Sequence, residues 1–190
     1  MNKLLQLSNV SLNYTIDNNS INILKNISFE VDYKETISIV GESGSGKTSL
    51  IMLIGGLEKI SAGNIFFKGS EISNMTEDEI SEIRRKNIGI VFQSFYLIPN
   101  YTALENVSLS LEINKLDNAT QKAKEILDRF GLSKRFNNLP SQLSGGEQQR
   151  VAIARSVVMK PELILADEPT GNLDSENTEN ISSLLFNYIK

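Results

Sequence analysis

Cysteine is absent from the 190-residue sequence, and so is any long apolar segment. Without cysteine the chain can form neither a disulfide framework nor a thiolate metal site, which fits a reducing compartment. A membrane-spanning helix needs roughly 18 to 20 apolar residues in a row, and no stretch approaches that length. The opening residues MNKLLQLSNVSLNY also lack the apolar segment and the small-residue cleavage site of a signal peptide. We therefore expect a cytosolic protein.

Excess positive charge is also absent, because the formal net charge is -4 at pH 7. Lysine and arginine are scattered along the chain rather than clustered, so no surface is expected to attract DNA, RNA or anionic lipid. No nucleic-acid partner is therefore predicted. Hydrophobic residues make up 40% of the chain, which is enough to build the core of one domain with a small subdomain.

Strand-like and helix-like segments alternate along most of the chain. The first third holds three β-rich segments, LLQLSNVSLNY, INILKNISFEV and ETISIV, followed by a glycine loop and a helix. Two more strands, NIFFKG and IGIVFQ, enclose the helical segment TEDEISEIRRK, and the strand LILAD precedes a last helix, SENTENISSLLFNYIK. This alternation predicts an α/β fold with a doubly wound, mostly parallel sheet, in which ligands bind beyond the carboxyl ends of the strands.

Two parts of the chain depart from this alternation. The β-rich segments over about 1–34 and 63–69 predict an antiparallel subdomain at the edge of the sheet. From Thr102 to Phe130 the pattern is helical, and Gly131 closes the second helical segment, NATQKAKEILDRFG. We expect an inserted helical subdomain over about 94–158, within a single domain that spans residues 1–190.

The segment GESGSGKT, residues 41–48, follows an apolar strand and precedes a helix, which is the context that a phosphate-binding P-loop requires. Glycines let backbone N–H groups wrap the phosphate oxygens, the ammonium group of Lys47 adds positive charge, and the hydroxyl of Thr48 can bind Mg²⁺. The alternative is a glycine-rich turn without a ligand. The predicted nucleotide-binding residues of this loop are Gly41, Glu42, Ser43, Gly44, Ser45, Gly46, Lys47, Thr48 and Ser49.

A second motif, LILADE, brings two carboxylates to the end of an apolar strand. Asp167 is expected to hold Mg²⁺, directly or through water, and Glu168 is expected to polarise a water molecule for attack on a γ-phosphorus. Two adjacent carboxylates would repel a triphosphate in the absence of a metal ion, so Mg²⁺ belongs to the hypothesis. Taken alone, the motif would equally suit a solvated strand end.

Two adjacent glycines, Gly145 and Gly146, open the helix in QLSGGEQQRVAIARS, residues 142–156. Glycine at the start of a helix loses backbone entropy, but it exposes amide groups at the positive end of the helix dipole. Close approach of an anion is one explanation for the pair, and a tight turn is the other.

The motifs GESGSGKT, LSGGEQQ and LILADEPTGNLD occur in an order that resembles the ATP-binding subunit of ABC transporters, over essentially the whole chain. The segments VFQSFYLIPNYTALENV and DEPTGNLD resemble the subfamily that serves lipoprotein release and macrolide export. The resemblance implies a P-loop NTPase fold, ATP and Mg²⁺ as cofactors, and ATP hydrolysis as the activity.

The resemblance also implies a head-to-tail dimer, formed by two identical chains or with a related cassette. Ser144, Gly145, Gly146 and the helix start at Glu147 would face the γ-phosphate of ATP held by the P-loop of the other subunit. Two chains would then enclose two nucleotides. This dimer supplies an anion for the glycine-opened helix, which a single P-loop fold leaves without one.

Three further positions match the family one at a time. Tyr14 matches the aromatic residue that stacks on adenine, although a tyrosine at a strand end can also be ordinary packing. Gln93 matches the glutamine that contacts Mg²⁺ and the attacking water, and a surface glutamine at a strand end is the alternative. Asp174 matches the loop that touches the opposing site, here in a variant with Gly171 and Asn172 where many relatives have Ser-Ala.

By this resemblance the catalytic residues are Lys47, Gln93 and Glu168, and the metal ligands are Thr48, Gln93 and Asp167. Arg150 and Arg155 lie on the helix that Gly145 and Gly146 open, here called the signature helix, where they are candidates for catalytic charge donors. Solvated or structural salt bridges are the simpler interpretation of both arginines.

A histidine that the family uses to hold the γ-phosphate and position the water is missing, because the sequence contains no histidine. The chain ends at Lys190, 16 residues past Asp174, before the strand that would carry the histidine begins. We therefore expect a C-terminally truncated domain that binds ATP, hydrolyses it slowly and has an unpaired apolar strand edge. Natural loss of the histidine is the alternative.

The expected function is to power export, or lipoprotein release from the inner membrane, through ATP-driven dimerisation. Transmembrane permease subunits would be the partners. The chain would lie peripherally on the cytoplasmic face of the inner membrane and would contact the membrane only through the permease. Two alternatives stay open: a nucleotide-binding module with little turnover, and a soluble ABC ATPase acting on ribosomes or in DNA repair. The soluble ATPase would need tandem cassettes, a coiled-coil insertion or a basic surface, and the sequence shows none.

Overall fold

The structure of the protein is a computed structural model, and it describes residues 3–16, 19–171 and Leu185. The chain divides into two compact units, the first ending at Arg84 and the second beginning at Arg85. Within the described ranges, no helix combines the length and the apolar character that crossing a membrane requires.

The first unit is built on an antiparallel sheet. Its elements are β1 (Leu5–Ile16), β2 (Asn19–Val31), α1 (Lys47–Ile54), β3 (Ala62–Phe67), β4 (Ser70–Glu71) and α2 (Glu77–Asn87), which continues past the unit boundary. The strand order is β2-β1-β3-β4, so the long strand β1 pairs with β2 on one side and with β3 on the other. β1, β2 and β3 lie on the predicted segments LLQLSNVSLNY, INILKNISFEV and NIFFKG.

A bulge near Asn9 keeps one face of β1 buried on both sides of it. Leu5 and Leu7 are buried before the bulge, and Val10 and Leu12 are buried after it, so burial changes from odd to even residue numbers. The pairing of β1 with β2 shifts register between Leu7 and Val10, where Asn9 has a φ of 50°. Because one extra residue reverses the face on which later side chains lie, the bulge restores the match between the hydrophobic pattern and the core.

The prediction of a strand over ETISIV, residues 35–40, is wrong for the described part of the chain. These residues belong to no ladder, and the side chains of Ile37, Ile39 and Val40 are exposed, that of Val40 by 87%. Their apolar, β-branched composition favours an extended backbone, but a strand also needs a neighbour that supplies hydrogen bonds. Among the described residues, no strand runs beside this segment.

In the described residues of the second unit, a short parallel pair of strands is joined to three α-helices. Its elements are β5 (Ile88–Val91), α3 (Ala103–Ile113), α4 (Ala119–Arg129), α5 (Gly145–Val157) and β6 (Leu163–Ala166). β5 and β6 pair in parallel, with Val91 opposite Ala166. Helix α5 lies against β5, and α3 and α4 lie against α5. The shared core consists of Val91, Ala103, Val107, Leu111, Ala123, Ile126, Leu127, Phe130, Leu132, Leu143, Val151, Ile153, Ala154 and Val157.

The bounds of α3 and α4 follow local capping chemistry. Thr102 is the N-cap of α3: its hydroxyl accepts from the N–H of Glu105, and the Glu105 carboxylate accepts from the N–H of Thr102. Gly131 follows α4 with a φ of 70°, the left-handed conformation that commonly ends a helix. Both helices lie on predicted helical segments. The last predicted helix, over 175–190, lies outside the described residues except for Leu185.

A buried amide fixes the connection between β5 and α3. The Asn106 side chain is fully buried, and its Nδ2 lies 3.2, 2.9 and 3.0 Å from the carbonyl oxygens of Ile98, Tyr101 and Thr102. Its Oδ1 accepts from the N–H of Ile98 at 2.8 Å. The amide thus replaces water as the partner of this loop backbone, which a buried polar group requires.

Candidate nucleotide-binding and catalytic residues

The P-loop residues follow β2 and lead into α1, all within the first unit. Gly44 and Gly46 have φ values of 81° and 90°, the left-handed region that favours glycine. Gly46 is also the N-cap of α1, and a Cβ there would lie 2.9 Å from the side chain of Leu24. The N–H of Ser45 donates to the carbonyl of Glu42 at 3.2 Å and closes a turn. The exposed residues of the loop are Gly41, Glu42, Ser43, Gly44 and Ser45.

The ammonium group of Lys47 turns back over this loop. Its Nζ lies 3.0 Å from the carbonyl oxygens of both Gly41 and Glu42. Thr48, which is exposed, and Ser49 belong to the first turn of α1, where helix N–H groups have no acceptor within the helix. A cationic side chain beside the positive end of a helix suits a bound polyphosphate.

Tyr14 lies near the end of β1, with 39% of its surface exposed. Its hydroxyl donates to Oε2 of Glu58 at 3.0 Å, and this hydrogen bond to a carboxylate is the main reason why the pKa of Tyr14 is raised. The phenol oxygen is thus held while much of the side chain stays accessible, which a stacking role requires and ordinary core packing does not.

Asp167 and Glu168 follow β6 in the second unit and differ in exposure. The N–H of Asp167 donates to the carbonyl of Val91 at 2.8 Å, so the ladder extends one residue beyond the strand. Asp167 is only 8% exposed, whereas Glu168 is exposed. Asp167 shares the buried face of β6 with Leu165, two residues before it, whereas the backbone turns at Glu168 and leaves that carboxylate in solvent.

The turn after β6 brings Gln93 and Glu168 together. Glu168 has a φ of 42°, and the N–H of Gly171 donates to its carbonyl at 3.0 Å. A Cβ built on Gly171 would lie 3.0 Å from Nε2 of Gln93 and 3.5 Å from Oε2 of Glu168. The amide of Gln93 and the carboxylate of Glu168 therefore meet at one glycine. Such an arrangement suits a general base and a polar group that share one water molecule.

Helix α5 begins at Gly145, with Ser144 as its N-cap. The Ser144 hydroxyl accepts from the N–H of Glu147 at 3.2 Å, and the Glu147 carboxylate accepts from the N–H of Ser144 at 2.8 Å. The cap uses the N–H of Glu147, so the N–H groups of Gly145 and Gly146 are left at the helix start without an intrahelical acceptor. Ser144 and Gly145 are exposed, and Gly146 is buried.

Arg135 neutralises the carboxylate at the start of α5. Its Nε donates to Oε1 of Glu147 at 2.7 Å, and this hydrogen bond is the main cause that lowers the pKa of Glu147, followed by the N–H of Ser144. Both oxygens of Glu147 are therefore bound within the chain. No sequence motif points to Arg135, because the two partners are 12 residues apart and lie on different elements.

The two arginines of α5 differ in their partners. The guanidinium of Arg155 donates to the carbonyl oxygens of Tyr96 at 2.7 Å and of Phe95 at 3.0 Å, and burial lowers its pKa. These contacts give Arg155 a structural role. Its partners are backbone carbonyl groups, however, and not the carboxylate of the predicted salt bridge. The Nε of Arg150 is buried and has no acceptor among the described residues. Arg155 thus holds the segment that follows Gln93.

Gln149 is the last residue of the motif LSGGEQQ, but the sequence assigns it no role, although it is one of the most buried polar residues that the structure describes. Its side chain has no exposed surface, and its Nε2 donates to the carbonyl of Pro169 at 2.5 Å. The available signal was its spacing: Gln149 lies three and four residues before the buried Ala152 and Ile153, which places it on the core face of the helix.

The predicted metal ligands offer a hydroxyl, an amide oxygen and a carboxylate, which are the hard oxygen donors that Mg²⁺ prefers. The described residues contain no cluster of three or more acidic side chains that could hold a metal ion alone. Mg²⁺ commonly takes one or two protein groups and completes its shell with phosphates and water. Each of Thr48, Gln93 and Asp167 therefore offers an oxygen donor of the kind that Mg²⁺ binds. Asp174, the remaining predicted contact, lies outside the described residues.

Known proteins of similar sequence cover nearly all of the chain. The family profile described as ABC transporter matches residues 24–171. The lipoprotein-releasing system ATP-binding protein LolD of Idiomarina loihiensis is 44% identical over 185 residues, which cover 96% of this chain and 81% of that protein. LolD of Francisella tularensis subsp. holarctica is 44% identical over 184 residues, covering 95% of this chain and 80% of that protein.

A solved structure has the same fold. The dimeric, post-hydrolysis state of the ATP-binding cassette MJ0796, bound to ADP and Pi, superposes with a TM-score of 0.91 at 41% identity. It covers 98% of this chain and 83% of its own. The predicted α/β fold of a P-loop NTPase is thereby confirmed, and the chain belongs to the ABC transporter family, as one of its ATP-binding and ATP-hydrolysing cassettes.

Proposed function

We propose that the chain hydrolyses ATP to power lipoprotein release, or a closely related export process, at the inner membrane. The observation that carries the proposal is the 44% identity to a lipoprotein-releasing system ATP-binding protein over 96% of the chain. In the second unit, Gln93 and Glu168 meet at Gly171 and supply side chains for hydrolysis. In the first unit, Lys47 and the glycines of the loop supply phosphate-binding groups.

The proposed reaction is attack of water on the γ-phosphorus of ATP. Glu168 accepts a proton from the water while the new P–O bond forms and the bond to the β-phosphate oxygen breaks, giving ADP and phosphate. Gln93 orients that water through its amide. Lys47 exchanges the carbonyl oxygens of Gly41 and Glu42 for phosphate oxygens and stabilises the charge of the transition state.

Thr48, Gln93 and Asp167 would hold Mg²⁺ together with the nucleotide. When bound, the ion neutralises phosphate charge. The backbone of Asp167 is fixed by the ladder to Val91 and its side chain is buried, so this carboxylate is oriented before a ligand arrives. Tyr14 would stack on the adenine ring, and its tethered, half-exposed side chain supports that role.

The proposed active form is a head-to-tail dimer, of two copies or with a related cassette. Ser144, Gly145 and Gly146 of one subunit would contact the γ-phosphate of ATP bound to the other, and Asp174 would touch the opposing site. The dimeric cassette MJ0796, at 41% identity, supports the proposal. Since each nucleotide would contact both chains, its differential affinity would favour the closed dimer.

Transmembrane permease subunits are the proposed partners, and the chain would lie on the cytoplasmic face of the inner membrane. The formal net charge of -4 offers no attraction to anionic lipid or nucleic acid, so contact with the membrane would run through the permease. The helical part, over about 94–158 of a single ABC ATPase domain, would receive a permease segment.

Dimerisation of the Glu168→Gln variant tests the proposed mechanism. Loss of the base should reduce hydrolysis to a small residual rate while ATP stays bound, so a dimer should accumulate with Mg²⁺ and ATP, as measured by light scattering during gel filtration. A variant that stays monomeric at saturating ATP would refute the dimer. Glu162→Gln is the matched control, because it neutralises an exposed carboxylate just before β6 and should turn over ATP like the parent.

Phosphate release and co-purification separate the remaining possibilities. Phosphate release by the parent that falls to a small residual rate in Glu168→Gln supports an ATPase. ATP binding by the parent without phosphate release would identify a nucleotide-binding module with little turnover. Recovery of a permease from solubilised inner membranes supports the transport role. Recovery with ribosomes or DNA-repair proteins instead would contradict it.

A further inference from the structure

Gln149 is completely buried, and only one half of its amide has a partner among the residues that the structure describes. Its Nε2 donates to the carbonyl of Pro169 at 2.5 Å, and none of its surface is exposed. Its Oε1 is also buried and has no donor among the described residues. The satisfied half of the amide therefore binds the residue that directly follows Glu168.

Fold stability alone does not account for this side chain. A buried acceptor without a donor opposes folding, because it loses its hydrogen bonds to water and gains none in return. Methionine has nearly the same length and would fill the same space without that penalty. Position 149 therefore carries a feature that disfavours stability, which is a mark of residues kept for function.

The turn that Gln149 contacts holds Glu168 in an uncommon backbone conformation. Glu168 has a φ of 42°, a region that residues other than glycine adopt only where the surroundings impose it. Inside the turn, the N–H of Gly171 donates to the Glu168 carbonyl at 3.0 Å. The hydrogen bond from Gln149 to Pro169 fixes the same turn from outside. Since the backbone sets the direction of the side chain, the conformation of this turn determines where the Glu168 carboxylate points.

Asp167 is held by a different set of contacts. Its N–H donates to the carbonyl of Val91 at 2.8 Å, within the parallel ladder of β5 and β6. Loss of the Gln149 amide should therefore release Glu168 while Asp167 stays in place. This separates an effect on the water-activating carboxylate from an effect on the proposed metal ligand.

We propose that Gln149 is a positioning residue, whose amide fixes the turn of residues 168–171 and aims Glu168 at the attacking water. The proposal rests on the function proposed above for Glu168. Gln149 lies about one helical turn from Gly145. Helix α5 thus carries both the N–H groups that would face the nucleotide of the partner subunit and the residue that would position Glu168, the general base of the same chain.

Gln149→Met in the full chain tests the proposal, because it keeps the buried volume and removes the donor. The kcat should fall about tenfold, while the KM and the affinity for ATP stay within about twofold. The melting temperature should equal or exceed that of the parent. Gln148→Met is the matched control: the Nε2 of Gln148 lies 3.1 Å from the carbonyl of Leu143, away from the turn, so kcat should be that of the parent.

A double variant shows whether Gln149 acts through Glu168. Adding Gln149→Met to Glu168→Gln should leave the residual rate of hydrolysis unchanged, because the base is already lost. A further loss in the double variant, or a parent-like kcat in folded Gln149→Met, would overturn the proposal. Gln149→Leu replaces the first variant if that one does not fold, and unfolding of both would show a purely structural role. Failure of the proposed function looks different, since Glu168→Gln alone would then hydrolyse ATP like the parent.

Discussion

The Nε of Arg135 lies 2.7 Å from the carboxylate Oε1 of Glu147, beside the glycines that open α5, and only 17% of the Glu147 side chain is exposed. A carboxylate at this position would repel a phosphate that approached the amide of Gly145, and the screening by water is reduced by burial. The guanidinium offsets that repulsion. The ion pair therefore lets Glu147 cap the start of α5 without preventing an anion from binding there.

Glu147→Gln should make the stability less sensitive to acid. The pKa of Glu147 is lowered, first by Arg135 and then by the N–H of Ser144, from an ordinary value of 4.5. A carboxylate with a lowered folded pKa stabilises the native state above its unfolded pKa, and this contribution is lost as the pH falls through the folded pKa. The parent should exceed the variant in free energy of unfolding by up to about 1 kcal/mol at neutral pH.

Urea unfolding at neutral pH and well below pH 4.5 measures this difference. The advantage of the parent should shrink in acid, because protonation of Glu147 removes the charge that Arg135 and the cap recognise. An advantage of the same size at both pH values would mean that the carboxylate charge does not contribute.

Lys47→Met should abolish tight ATP binding without unfolding the protein. The Nζ contacts carbonyl oxygens of an exposed loop, which water can replace, so the loss of stability should be small. The loss of a cation from the phosphate site should weaken ATP binding about 100-fold. Titration with a fluorescent ATP analogue and thermal unfolding measure the two effects. Lys25→Met, at an exposed position of β2, is the control that should bind ATP normally.

Tyr14→Phe and Tyr14→Ala should separate stacking from hydrogen bonding. The phenylalanine variant loses the bond to Glu58 but keeps the ring, so its affinity for ATP should stay within about twofold. The alanine variant loses the ring, and stacking on a base contributes about 1 to 3 kcal/mol, so affinity should fall roughly tenfold or more. Calorimetric titration with ATP distinguishes the two. Equal losses in both variants would assign the role to the hydroxyl.

The predictions from sequence are correct where neighbouring residues determine the structure. The helix that starts after Thr102 depends on a capping box within three residues, and Gly131 ends α4 through its own φ of 70°. The burial of Asp167 likewise continues the alternation of β6, in which Leu165 is buried two residues earlier.

Contacts between distant elements could not be predicted in the same way. The 35–40 segment has the composition of a strand, but its pairing depends on a neighbour that its own residues do not specify. The bond from Gln149 to Pro169 joins residues 20 apart, and it depends on how α5 meets the turn after β6. Periodicity places Gln149 on the core face of the helix, but it does not predict which residue Gln149 contacts there.

Strand β5 and helix α5 lie in close contact at Gly89. A Cβ on Gly89 would overlap the carbonyl oxygen of Ser156 and would lie 3.0 Å from the ring of Pro161. Neither group is the end of a flexible side chain, so Gly89→Ala should force the strand and helix apart and lower the free energy of unfolding by about 3 kcal/mol.

Gly131→Ala is the control for the loss of glycine itself. Gly131 has a φ of 70° and open space around the added methyl group, so only the backbone strain of about 1 kcal/mol should appear. Urea unfolding of both variants measures the difference. Because α5 also carries Gln149, the Gly89 variant should lose kcat as well, whereas the Gly131 variant should keep it. Equal losses of stability would show that β5 and α5 do not touch as closely as this glycine implies.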